Sequence, residues 1–484
     1  MFNFKLILNV LGVLLIALSA LMLLPVFVDL INSNQTWLSF FIASMFCLGF
    51  GISLFLSTRS GDDDDKFSIK DAFLLTTSSW LTIALFGAIP FYISEIGFSL
   101  TDAIFESMSG VTTTGSTIIT ELESMPEGIL IWRSILQWLG GIGIIVMAIS
   151  ILPVLQVGGM QIFRTESSDT SDKILPRTTQ VASAVLTIYL ALTSTCAIAY
   201  WMFGMSVFDA INHSMTTIAT GGFSTKSGSI GAFNSSGIDY VACLFMLLAS
   251  FPILIYLQVY RGKFLDLFKD KQVTTFLLII LVSSFSVIFY LWLYDIKTAS
   301  TAIQHGLFNV ISIITGTGYS TDNYNLWGAF PIYLLFFGMF VGGCAGSTTC
   351  GIKVFRFQIL FETTRNQIKK VLHPHGVFIS HYNNKKLSDD VVTSVMSFFF
   401  VFILSFIVIT LLLSTTQLDF VTSLSAAATS LANVGPGLGS TIGPEGNFYG
   451  IPLEAKWILI LAMLIGRLEL FTVLVLIMPQ FWKK

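Results

Sequence analysis

The sequence predicts an all-α membrane protein: two N-terminal transmembrane helices, then four helix–pore loop–helix repeats around a pseudo-fourfold pore, about ten spans in all. Three observations carry this prediction. The 484 residues are 54% hydrophobic and 11% charged with a mean hydropathy of +0.80, and apolar runs exceeding the ~18 residues of a bilayer span recur along the chain. A short apolar segment followed by a glycine loop returns four times, its glycines Gly115, Gly222, Gly318 and Gly435 spaced by 107, 96 and 117 residues. The basic residues fall almost entirely on one side of the resulting topology.

Residues 1–70 supply the first two spans, 4–28 and 37–56. The first has one lysine and an apolar run longer than a cleaved signal peptide needs, so it reads as a retained span. Repeat 1 occupies 71–157 with spans 72–93 and 129–154, and repeat 2 occupies 158–262 with spans 181–203 and 240–259. Repeat 3 covers 263–388 with spans 276–292 and 330–354, and repeat 4 covers 389–484 with spans 391–413 and 457–478. Between the spans of each repeat lies a short helix and its loop. In repeat 2 this reads FDAINHSMTTIATGGFST, where Asp209 is expected to cap a helix running to about Ile218 and Gly221–Gly222 to end it. TDAIFESMSGVTTTGST in repeat 1 places Asp102 thirteen residues before Gly115, the same gap as Asp209 to Gly222.

With the N-terminus in the cytoplasm, 20 of the 25 Lys and Arg lie inside; Lys226, Lys297 and Lys456 lie outside, and Arg133 and Arg467 fall within spans. One span more or fewer would invert that split, so it supports both the orientation and the count. All four glycine loops then face outward together with fourteen acidic residues, a charge pattern that gathers cations. A net charge of −3 with no basic domain gives nucleic acid no footing. A membrane enzyme is not expected either, since no nucleophile–base pair or metal-ligand cluster stands within the spans.

Aligned on their glycines, the loops read Thr113-Thr114-Gly115, Thr220-Gly221-Gly222, Gly316-Thr317-Gly318 and Asn433-Val434-Gly435. None offers a carboxylate, an imidazole or a nucleophile. They share backbone carbonyls, which glycine can turn toward a common axis, and a ring of carbonyl dipoles replaces the hydration shell of a monovalent cation. A phosphate cradle needs the loop before the helix and usually a lysine; here the helix comes first and no loop carries a lysine.

Residues 337–353 read FGMFVGGCAGSTTCGIK, too rich in glycine for a continuous helix, and fit either a gate below the loops or close packing of small residues. Gly140, Gly141 and Gly143 form a milder version in repeat 1. Arg467, in IGRLELF, reads as mid-span and must face protein or water, as a pore barrier or as one half of an ion pair. The five cysteines show no metal spacing and read as small buried hydrophobes. His213 reads as a packing residue; His373, His375 and His381 and the acidic run 62–65 before Lys66 read as solvated. The basic stretch 353–390 suits anionic lipid or a cytoplasmic partner.

TTTGST, ATGGFST, GGCAGST, NVGPGLG and GRLELFTVL together resemble the Trk/Ktr/HKT potassium transporter superfamily, and the two extra N-terminal spans resemble its bacterial TrkH branch. The resemblance covers nearly the whole chain. It implies a potassium uptake subunit of the bacterial inner membrane, homodimeric, with a pore in each protomer and both termini cytoplasmic. It implies that the four aligned triplets form the K⁺ filter and that Gly342, Gly343, Cys344, Ala345, Gly346, Ser347, Thr348, Thr349, Cys350 and Gly351 form an intramembrane gating loop. Arg467 matches the family's basic residue beneath the filter, and a TrkA-like nucleotide-sensing ring is the implied cytoplasmic partner. One glycine per repeat suggests weaker K⁺ over Na⁺ discrimination than in tetrameric channels. The alternative reading is a sodium-coupled secondary transporter of a small solute, built on broken helices in two halves.

Overall fold

In the computed structural model, residues 2–58, 68–150, 159, 178–263, 266–383 and 385–483 are described, so the acidic run 62–65 lies outside them. The first two spans form an antiparallel hairpin, Phe4–Ile31 and Trp37–Thr58. They cross closely because Gly12 and Gly51 face each other; a Cβ on Gly12 would stand 2.9 Å from the Gly51 carbonyl oxygen. Buried Asp29 joins this hairpin to repeat 1, accepting the Gly128 N–H at 2.7 Å and the Thr36 hydroxyl at 2.6 Å.

Each repeat then runs long helix, short helix, loop, second span. The long helices are Ile69–Gly87, Thr178–Met202, Lys271–Leu293 and Asp389–Ser414. The short helices are Leu100–Val111, Val207–Ile218, Ala299–Ile314 and Phe420–Ala432. Ser206, not Asp209, caps the second of these: its hydroxyl accepts the Asp209 N–H at 3.0 Å and donates to the Asp209 carboxylate at 2.7 Å. Ser99 and Asp102 do the same in repeat 1. Asp209 and Asp102 thus sit in the first turn, where they favour the positive end of the helix dipole. Thr298 and Asp419 cap the other two.

The second spans diverge. That of repeat 1, Glu127–Ser150, is continuous, and Gly140 and Gly141 serve packing: side chains there would strike the Val111 carbonyl and the Tyr189 hydroxyl. In repeat 2 the helix Ser236–Ala249 stops and Ile255–Tyr260 resumes it. In repeat 3, Ala329–Gly338 gives way to the glycine-rich stretch before Val354–Leu372 begins. In repeat 4, Leu453–Arg467 and Phe471–Ile477 meet at 117°, with positive φ at Glu469 and Leu470. The expected continuous span 457–478 is therefore two half-helices, and Arg467 closes the first one instead of lying mid-span. Among the described residues seven helices are long and apolar enough to cross a bilayer, eight with that bent pair. The expected spans 240–259 and 330–354 complete the ten as broken helices. The basic stretch after 353 is not a loop: it continues as the polar helix Val354–Leu372 and a short hairpin pairing His381 with Lys386.

The repeats close into a ring through one recurring contact. Each of three short helices packs on the second span of the repeat before it and is clasped there by a polar pair. Asn212 accepts from Ser134 of repeat 1 at 2.7 Å, Gln304 donates to Asp239 of repeat 2 at 2.8 Å, and Asp102 pairs with Lys456 of repeat 4 at 2.6 Å. Those clasps join repeat 2 to repeat 1, repeat 3 to repeat 2 and repeat 1 to repeat 4.

Candidate functional site

Every short helix ends in the same turn. The middle residue of each triplet donates its N–H to the carbonyl five residues back, at 2.9 Å in all four repeats: Thr114 to Ser109, Gly221 to Thr216, Thr317 to Ser312 and Val434 to Thr429. Such a bond needs left-handed backbone at the first position of the triplet. Thr113, Thr220, Gly316 and Asn433 have φ of +51°, +50°, +71° and +53°. The third position is left-handed as well, with φ of +85°, +75°, +79° and +111° at Gly115, Gly222, Gly318 and Gly435, while the middle residue is not. Alternating the sign of φ swings successive carbonyls to one side, where an ordinary strand sends them to alternate sides. Two threonines in left-handed backbone are strained, so the site is held against that cost by its surroundings.

The glycines abut one another around a closed circuit. A Cβ on Gly115 would strike the Gly221 carbonyl oxygen, one on Gly222 that of Thr317, and one on Gly318 that of Val434. On Gly435 it would lie 2.8 Å from the Thr114 carbonyl oxygen, which returns the circuit to repeat 1. The same four glycines line a single cavity with Ser116, Thr117, Lys226 and Ser320. At its rim Glu123 accepts the Ser227 N–H at 2.8 Å. Burial pushes the Glu123 carboxyl up, but the Ser227 hydrogen bonds and the nearby Lys226 outweigh it and hold it below the usual carboxylate range.

The glycine-rich stretch of repeat 3 packs against the loops. Its neck is pinched by backbone pairing: Gly342 donates to Ile352 at 2.8 Å and Ile352 to Phe340 at 3.0 Å. Inside the neck, Thr348 and Cys350 reach the loops above, Thr348 meeting the Thr220 hydroxyl at 3.3 Å and Cys350 the Thr113 hydroxyl at 3.5 Å. The broken span of repeat 2 holds the near side, where Cys344 donates to the Ser250 carbonyl and Thr348 to that of Ala249. Arg467, buried, donates to the Thr348 carbonyl at 3.2 Å, the Gly140 carbonyl at 2.9 Å and the Cys350 sulfur. Lys353 donates to the Thr349 carbonyl and, at 3.1 Å, to its hydroxyl. Two cationic side chains thus occupy carbonyls of this stretch and line a small cavity beside it with Glu469 and Leu470.

The TrkH family profile, described as a cation transport protein, matches residues 37–484. The chain belongs to the TrkH family. It is similar to the Trk system potassium uptake protein TrkI of Halomonas elongata, 45% identical over 99% of this chain and 97% of that one. It is also similar to the Trk system potassium uptake protein TrkH of Escherichia coli K12, 37% identical over the full length of both. Among solved structures, the crystal structure of the potassium transporter TrkH from Vibrio parahaemolyticus superposes with a TM-score of 0.92 at 36% identity, covering all of both chains. The chain is accordingly a multi-pass helical membrane protein of this family.

Several polar residues of this TrkH-family site escape a reading of the sequence. Glu106 counts there as one of fourteen outward acids. It is fully buried instead, paired to Arg133 at 2.7 Å and accepting from Thr117 and the Ile118 N–H. Arg133 also donates to the Ser224 carbonyl at 2.9 Å, so one pair braces the chain beyond both loops. Gln137 clamps repeat 2, donating to the Gly221 carbonyl and accepting the Phe223 N–H at 3.0 Å. Glu469 pairs with Arg356 and not with Arg467. A charge inside an apolar run signals a buried partner; which partner depends on the fold. His213 is buried, as expected, its Nε2 2.9 Å from the Ser224 hydroxyl. All five cysteines are free and buried.

Proposed function

We propose that the chain takes up potassium across the bacterial inner membrane through a filter of main-chain oxygens. The observation that carries this reading is the closed circuit of four glycines on one cavity, each set against a carbonyl of the next repeat. In it, Thr113, Thr114, Gly115, Thr220, Gly221, Gly222, Gly316, Thr317, Gly318, Asn433, Val434 and Gly435 hold K⁺ ions. Their carbonyls replace the hydration shell, and the four helix C-termini add negative dipole ends. The names of the relatives, potassium uptake proteins over the full length of the chain, support potassium as the ion.

Below the filter, residues 342–351 act as the gate. Arg467 keeps that gate closed by occupying its carbonyls and sets a positive barrier in the path. The physical logic is substitution: a guanidinium held at the Thr348 carbonyl excludes a second cation from the same oxygen. Both termini are cytoplasmic, two copies assemble with a pore each, and a TrkA-like nucleotide-sensing ring on the cytoplasmic face biases the gate. Basic residues on the helix Val354–Leu372 supply that face with charge for lipid headgroups or the ring.

The test is the reversal potential of the purified protein in liposomes under opposed K⁺ and Na⁺ gradients. A potential near that of K⁺, with no organic solute present, is expected. A current that requires added solute would replace this reading with that of a sodium-coupled carrier.

A further inference from the structure

The four residues that follow the filter glycines are all different: Ser116, Phe223, Tyr319 and Pro436. In three of them the side chain stays close to the loops. The Ser116 hydroxyl donates to the Gly435 carbonyl at 2.9 Å, the Phe223 ring lies 4.0 Å from the Arg133 guanidinium, and Pro436 packs on Gly318. Tyr319 alone among the four hydrogen-bonds through its side chain to a neighbouring short helix. Its hydroxyl is 2.5 Å from the Thr216 hydroxyl and 3.3 Å from that of Thr217, both on the short helix of repeat 2. The carbonyls of Asn212 and His213 stand 3.2 Å from the Thr216 hydroxyl and take its proton, which leaves Thr216 as the acceptor and Tyr319 as the donor. The backbone of Tyr319 is fixed too, its carbonyl accepting from Ser312 of its own short helix at 2.7 Å.

We propose that Tyr319 sets the ion preference of the filter by holding the repeat 3 loop at a fixed distance from repeat 2. It is a positioning residue: it acts through the Thr317 carbonyl, two residues earlier, which stands against Gly222 across the same boundary. Na⁺ is smaller than K⁺ and gains only if the carbonyl ring contracts onto it. A rigid ring, tied by a phenol between a loop and the neighbouring helix, resists that contraction. The tie is wholly buried, so water cannot replace it, and removing the hydroxyl frees the loop to follow the smaller ion. The proposal rests on the filter reading above.

The experiment measures the K⁺/Na⁺ permeability ratio from reversal potentials in liposomes, a quantity independent of how many molecules are active. Tyr319→Phe should lower the ratio about five-fold while retaining K⁺ current, as expected for one lost hydrogen bond. Thr216→Val removes the nearer acceptor and leaves the His213 carbonyl at 3.3 Å, so it should lower the ratio in the same direction but by less, and the double variant should add little to Tyr319→Phe. Tyr256→Phe is the control: it removes a phenol hydroxyl that donates to the Leu248 carbonyl in the broken span of repeat 2, outside the hydroxyl network of Tyr319, and should leave the ratio unchanged. An unchanged ratio in Tyr319→Phe overturns the proposal, and so does an equal fall in Tyr256→Phe. If Gly222→Ala also left the ratio of the native protein intact, the filter reading itself would fail, a result separate from either of these.

Discussion

Replacing Gly222 with alanine probes the filter at its tightest boundary. The backbone there has φ of +75°, where an L-residue costs about 1–2 kcal/mol. The added methyl would also sit well inside contact distance of the Thr317 carbonyl oxygen. A carbon and an oxygen tolerate an approach of about 3.3 Å, so the loops of repeats 2 and 3 must part by roughly 1.5 Å. Parting the loops withdraws a carbonyl from the ion, and each 1.4 kcal/mol of lost ion binding is about tenfold in occupancy. K⁺ uptake into proteoliposomes should therefore fall at least about tenfold, at equal protein and equal folded fraction. Gly97→Ala separates strain from crowding: its φ is +80° but nothing stands within 4 Å of the new methyl. That variant carries the same backbone cost and should retain uptake. Full-rate uptake by Gly222→Ala would show that the four loops do not form the filter.

Deleting residues 342–351 should raise K⁺ flux, because Val341 and Ile352 are already paired across the neck and can be joined with little rearrangement; unchanged or lower flux would make this stretch a packing element. Arg467→Ala should likewise raise flux by releasing the Thr348 and Gly140 carbonyls, whereas a variant that is merely less stable and no more conductive would mark Arg467 as structural. Glu106→Gln leaves Arg133 buried and unpaired, and should lower stability by about 3–5 kcal/mol, read as a fall in melting temperature in detergent. Ser206→Ala removes a helix cap and should cost only about 1 kcal/mol in the same measurement.

The architecture was largely legible in the chain. Long apolar runs give the spans through the bilayer alone, with no reference to neighbouring helices. The recurrence of a short helix before a glycine gives the repeats, and Gly222 and Gly435 announce a backbone that other residues resist. The breaks were partly legible. The glycines of 337–353 signal one, but the chain at 468–470 reads LEL, with no glycine or proline of its own to mark a bend of 117°. There the helix gives way because Glu469 turns to meet Arg356, a residue more than a hundred positions away.

The sequence by itself determined that this is a polytopic helical protein with four loops rich in carbonyl oxygen and poor in every other chemistry. Periodicity, span length and charge bias are local quantities, so one strand of text holds them. Only the tertiary structure decided that those loops meet in one circuit, with Thr113 and Thr220 in glycine-like backbone. It also decided which charges are spent in pairs, Glu106 on Arg133 and Glu469 on Arg356, and which, Arg467 and Lys353, are left to hold carbonyls of the glycine-rich stretch. Burial makes each of those pairings compulsory, and burial is a property of all four repeats packed together.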